Sequence, residues 1–304
     1  MERILFLDEI KAFAILLVIF IHMQNFLSVF LVKNILIFEI LKFIAVGCFT
    51  FASGYAIYRN NSNIQTRREG LHFYKKRIMR IYPLYLAALL VYFLCFQVFA
   101  LFPPLHYSTI EWIATILSLQ VLLAPYIEPI FTLWFIGFIM VMYALYPLFS
   151  RSSGKMRKRV ILAASIFALL FILHQVLDII DYRFFFYYFF FIAGIFAAEK
   201  NCRFLILERP LKRYRSSIAP AVIALSYASY CIFLFHMPVF AISGYFISRM
   251  DLPGYLQNGV VLFIVIPTMI CLCYFVQRSY DAVIKNGGIR FPRDSFSLGK
   301  RNRG

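Results

Sequence analysis

Apolar runs of 17 to 25 residues recur from the first quarter of this 304-residue chain to the last, and short basic clusters separate them. Each run is long enough to cross roughly 30 Å of hydrocarbon as a helix, and helices are one of the two structures that satisfy their backbone polar groups there. The chain is 62% hydrophobic with a mean hydropathy of +0.78, whereas soluble domains average about 45 to 50% apolar. The expected fold is therefore all-α, a polytopic membrane helical bundle of about eight to ten transmembrane helices with no soluble domain beside it.

The net charge of +17 is explained by topology rather than by nucleic acid. Seven Lys and Arg residues lie from Arg59 to Arg80, five from Arg151 to Arg159, six from Lys200 to Arg215 and seven from Arg278 to Arg303. If these clusters face the cytoplasm, both termini are inside. Spans drawn on that rule cover about residues 10–31, 35–58, 79–101, 131–150, 160–178, 184–199, 217–248 and 258–278. The first run ends in His22, Met23, Gln24 and Asn25 without a small-residue cleavage site, so it reads as a retained span and not a signal peptide. The stretch 109–124 is apolar but short, and reads as an outer-face or re-entrant helix. One transmembrane domain, 1–278, is expected, followed by a short basic cytoplasmic tail, 279–304.

Six cysteines show no metal-ligand spacing and read as small core residues. No internal repeat, glycine-rich phosphate loop or zinc-binding HExxH occurs, so no metal site and no tightly bound cofactor is expected.

Three stretches carry polar groups that a bilayer penalises. In LDEIKAFAILLVIFIH, residues 7–22, Lys11 and His22 are eleven positions apart, which on a helix places them on one face about 16 Å apart. Asp8 is an i,i+3 neighbour of Lys11, and Asn25 follows His22 by one turn. Imidazole suits proton transfer near neutral pH, although a core histidine bonded to a neighbouring helix has the same signature. In FYKKRIMRIYP, residues 73–83, Arg77 and Arg80 share a face and can clamp phosphates, though basic residues at a cytoplasmic helix end also serve topology. In SYASYCIFLFHMP, residues 226–238, Tyr227, Tyr230 and His236 precede Pro238, whose missing N–H and ring are expected to break or kink the helix by displacing the Leu234 carbonyl.

These segments together resemble acyltransferase family 3, the polytopic membrane acyltransferases that modify surface sugars and other exported molecules. LDEIKAFAILLVIFIH is similar to the family's first helix, with Lys11 where arginine is commoner. CFTFASGYAI resembles its Ser-Gly signature at Ser53 and Gly54, RIMRIYPLY its RxxR followed by Pro83, TLWFIGFIMVMYALYPL its LWF segment at Trp134, and SYASYCIFLFHMPV its SYxxYLFH box. Two departures stand out. Ile139 occupies the place of a glutamate found in many members, and only residues 200–216 stand where the family usually has a helical hairpin.

The resemblance implies an acyl group, acetyl in the first instance, passing from cytoplasmic acyl-CoA to a sugar hydroxyl of an exported or cell-surface glycan or glycolipid, with acyl-CoA as co-substrate. It implies phosphate contacts from Lys11, Arg77 and Arg80, a catalytic His22 acting as general base or, less favoured, as an acyl carrier, and support from Asp8, Asn25, Ser53, Trp134, Tyr230 and His236. A bacterial inner membrane is the expected setting. Glu39 and Lys42 are read as lining the acceptor side or as an interfacial pair, and the aromatic run 184–191 as sugar-stacking or packing. Two other readings fit a polar-lined bundle: a transporter or flippase for a sugar-lipid or small solute, and a non-catalytic subunit of an envelope-polysaccharide assembly.

Overall fold

The structure is a computed structural model that describes residues 4–27, 34–103, 105–151, 156–200 and 212–286. Among these residues every regular element is helical. The helices are α1 (Leu5–Met23), α2 (Ile35–Asn60), α3 (Arg67–Phe93), α4 (Thr109–Ile116), α5 (Trp134–Arg151), α6 (Met156–Leu177), α7 (Arg183–Glu199), α8 (Lys212–Ile247), α9 (Gly254–Val260) and α10 (Ile266–Asn286). Six are long and apolar enough to cross a membrane, counting the π-turn extensions of α3 and of α9–α10. Helix α1 carries Asp8, Glu9 and Lys11 near its start, and α7 has 17 residues. The chain is a helical membrane bundle.

Helix α3 begins twelve residues before the expected span because Thr66 and Glu69 form a capping box. Gln65 and Thr66 donate their backbone N–H groups to the Glu69 carboxyl at 2.8 and 2.9 Å, and the Glu69 N–H donates to the Thr66 hydroxyl at 3.2 Å. Ser108 and Glu111 repeat the device at α4, which at eight residues spans only about 12 Å and cannot cross. The loop after α4 folds back on the loop before α7, where Ile180 and Asp181 donate their backbone N–H groups to the carbonyls of Leu122 and Val121.

Helix α1 packs between α8 and α2, α2 packs along α7, and α8 is flanked by α10 and α3. The α2–α7 crossing is backbone against backbone. A Cβ at Gly54 would overlap the carbonyl oxygen of Phe191, and one at Gly194 the carbonyl oxygen of Phe51. The Ser-Gly signature is thus, at Gly54, a packing requirement. Gly54→Val is expected to separate the two helices and cost about 1–3 kcal/mol or more, read as a lowered melting temperature of the detergent-solubilised protein. The aromatic run 184–191 serves this packing: Phe184 and Phe191 are fully buried and the Tyr188 hydroxyl donates to the Ala163 carbonyl on α6, while Phe186 and Phe189 point outward.

One expectation is corrected. Pro238 does not break its helix, for α8 runs unbroken from Lys212 to Ile247 with Pro220 and Pro238 inside it. A proline removes a single N–H, its φ is helical, and packed neighbours on both sides let the helix continue through it. Helix α10 likewise continues to Asn286, past the boundary at 278, and so brings Tyr280 and Asp281 into the bundle.

Candidate active site

Polar residues gather at two levels along α1 and α8. Near the start of α1 Asp8, buried, accepts a 2.7 Å hydrogen bond from the Ser226 hydroxyl, tying α1 to α8. Lys11 is half-buried one turn further along α1. Beside them the Tyr227 hydroxyl donates to Asp281 at 2.6 Å, and Gln277 donates to the other Asp281 oxygen at 3.0 Å. Arg80, on α3, lies within electrostatic reach of the Tyr227 phenol.

Pro83 explains how α3 is locked to α8 and α10. Lacking an N–H, it leaves the carbonyl four residues earlier, Met79, without its helical donor. The Tyr280 hydroxyl of α10 donates to that carbonyl, and the Tyr230 hydroxyl of α8 donates at 2.8 Å to the carbonyl of Ile81. The stretch bearing Arg77 and Arg80 is thereby held by two other helices. The Arg77 guanidinium is stacked between the rings of Phe73, 5.5 Å away, and Tyr143, 5.3 Å away.

Deeper in the bundle the two histidines meet. The rings of His22 on α1 and His236 on α8 are 5.0 Å apart between centroids at an interplanar angle of 49°. His236 is fully buried and His22 half-buried. The packing around them is aromatic: Phe233 and Phe240 flank His236, and Phe49 and Phe135 pack on Phe233. Toward the start of α2, Lys42 lies within electrostatic reach of His22, bonded to Glu39 at 2.6 Å and resting on the Phe38 ring.

Asn25 is exposed in the 3-10 turn after α1, and Ser53 is half-buried on α2 beside the Gly54 crossing. Trp134 is buried under the Arg183 guanidinium, 4.2 Å from the indole, and Arg183 is itself clamped by Asp181 at 2.8 and 2.9 Å. Trp134 opens α5, and its neighbour Phe135 packs on Phe233, the ring beside His236. Ile139 is buried in the apolar core, so the acid seen at that place in many relatives has no substitute on α5 there.

Tyr280 and Asp281 are not legible as site residues from hydropathy, which ends the last span at Arg278, and Ser226 and Gln277 lie within apolar spans that hydropathy reads as lipid-crossing helix. The signal lies in spacing. Tyr274, Gln277 and Asp281 recur at three- and four-residue intervals, a polar stripe on one face of a helix that has not yet ended.

Among the described residues no group of three or more His, Cys, Asp or Glu side chains is placed to hold a metal. A family model described as an acyltransferase domain matches residues 4–204, which takes in α1 to α7 and leaves α8 to α10, with His236, beyond the matched region. No curated protein and no solved structure matches the chain.

Proposed function

The chain belongs to acyltransferase family 3, and from that premise we propose that it moves an acyl group, acetyl in the first instance, from cytoplasmic acyl-CoA to a sugar hydroxyl of an exported glycan or glycolipid. The observation that carries the reading is the meeting of His22 and His236 inside the bundle; Lys11, Arg77 and Arg80 are proposed as the cytoplasmic mouth of the site.

The nucleotide phosphates bind at that mouth, where guanidinium forks suit them, and the extended pantetheine arm reaches along α1. The rise from Lys11 to His22 is about 16 Å. His22 takes the proton of the acceptor hydroxyl as its oxygen attacks the thioester carbonyl carbon. The new C–O bond gives a tetrahedral oxyanion, the C–S bond then breaks, and the leaving CoA thiolate takes the proton back from His22. Glu39 and Lys42 flank His22 on the acceptor side. The setting that suits this chemistry is a bacterial inner membrane with both chain termini in the cytoplasm.

Arg77 tests the donor end. A lysine keeps the charge but cannot stack between Phe73 and Tyr143 or present a planar fork. Arg77→Lys is expected to raise KM for acyl-CoA about tenfold and leave kcat within about twofold, measured as CoA release by the protein in lipid nanodiscs. The function itself is tested in the same assay with a panel of acyl-CoA thioesters and host glycan. Acyl-dependent CoA release with O-acylation of the glycan supports the proposal. Absence of release across the panel, with transport of a sugar-lipid instead, would replace the enzyme by the transporter reading.

A further inference from the structure

The two histidines are not equivalent. His236 is completely buried, and its Nδ1 lies 2.9 Å from the Phe233 carbonyl oxygen and 3.1 Å from that of Ile232. A carbonyl only accepts, so Nδ1 carries the hydrogen and donates it, and a neutral imidazole has no second one. Nε2 is therefore a bare lone pair. It is buried and has no hydrogen-bond partner among the described residues. With no surface of its own it cannot meet a substrate, and the polar ring beside it is that of His22; the other rings around it belong to Phe233 and Phe240. An unmet acceptor at such depth calls for a reason.

We infer that His236 is a positioning residue for His22: its Nε2 accepts the N–H of His22, which selects one His22 tautomer and leaves the other nitrogen as the base. This rests on the function proposed above. In the free protein the 5.0 Å ring separation leaves the contact loose, as unliganded catalytic hydrogen bonds often are, and binding tightens it. When the acceptor proton arrives, the His22 imidazolium keeps its bond to His236 Nε2 and holds the proton until the CoA thiolate takes it. The same tautomer removes His236 from the set of oxyanion donors, since neutral His236 has no N–H to spare. The donor must come from elsewhere in the pocket.

Two substitutions separate positioning from mere packing. His236→Asn retains a donor near the place of Nδ1 but has nothing at Nε2; His236→Gln puts an amide oxygen near Nε2. In CoA-release assays at matched nanodisc loading, kcat is expected to fall at least about tenfold in His236→Asn, to recover to within a few-fold of wild type in His236→Gln, and KM for acyl-CoA to stay unchanged in both. Equal losses in the two variants, or a loss confined to KM, would overturn the inference. A second measurement does not depend on activity. Solid-state NMR of isotope-labelled histidine in the full-length protein in bilayers should show His236 protonated at Nδ1, and a single His22 tautomer that becomes mixed in His236→Asn. A wild-type His236 protonated at Nε2, or a His22 spectrum indifferent to residue 236, would contradict the inference even if no acyl-CoA proves to be a substrate.

Discussion

His22→Ala is expected to lower acyl-dependent CoA release by about 10²- to 10⁴-fold, the range that a positioned general base contributes. The protein level should hardly change. His22 is half-buried, whereas the positions that fix α1, Ala14, Ile15 and Ile21, are the ones sealed in the core. KM for acyl-CoA should be retained as well, since the proposed phosphate contacts are Lys11, Arg77 and Arg80, and Lys11 is about three helical turns away along α1. A fall in kcat at constant KM marks an interaction made in the transition state; a rise in KM alone would make His22 a binding group. His22→Gln should be nearly as inactive as the alanine variant, because an amide keeps hydrogen-bonding capacity but cannot take up a proton.

Glu199→Leu is expected to be the most damaging single change to stability, about 3–5 kcal/mol, the usual cost of removing one member of a buried ion pair. The Arg159 side chain is fully buried, bonded to Glu199 and stacked on the Tyr58 ring at 4.9 Å, so it joins α6 to α7 and α2. Without the carboxylate a buried guanidinium loses its counter-charge. Replacing both partners, Arg159→Met with Glu199→Leu, should recover most of the loss, since an apolar pair of similar volume avoids the desolvation of two charges. Melting temperatures of the two variants in one detergent test this; equal destabilisation in both would show that the pair acts through its shape rather than its charge.

The bundle is readable in the sequence where one physical rule dominates. Apolar length and basic clusters place the long spans from 35 to 199 within a few residues, apart from the start of α3, because the cost of exposed backbone in hydrocarbon overrides local propensity there. The Thr66 and Glu69 cap that moves that start is itself a sequence signal, but hydropathy is blind to it. At Pro238 the local rule misleads, since tertiary packing carries α8 through the proline. Past Arg278 the hydropathy drops while the helix persists, and the bonds from Tyr280 and Asp281 are lost from view. The site was half legible. The eleven-residue spacing places Lys11 and His22 on one face of α1. That His236 stands opposite depends on how α1 packs against α8, a contact between residues at opposite ends of the chain that no local pattern encodes. The motif at Trp134 is legible in the sequence, whereas the stacking of its indole under Arg183 is not.

The most direct test of the central claim, that His22 carries acyl transfer to an exported sugar, is the O-acyl content of the host's surface glycans. It is measured in cells with the wild-type gene, with the gene deleted, and with His22→Ala at matched membrane expression. An O-acyl signal that disappears in both mutants is the predicted result, and the lost signal identifies the acyl group and its acceptor. A signal lost on deletion but intact in His22→Ala would contradict the claim and return the chain to the transporter or scaffold readings.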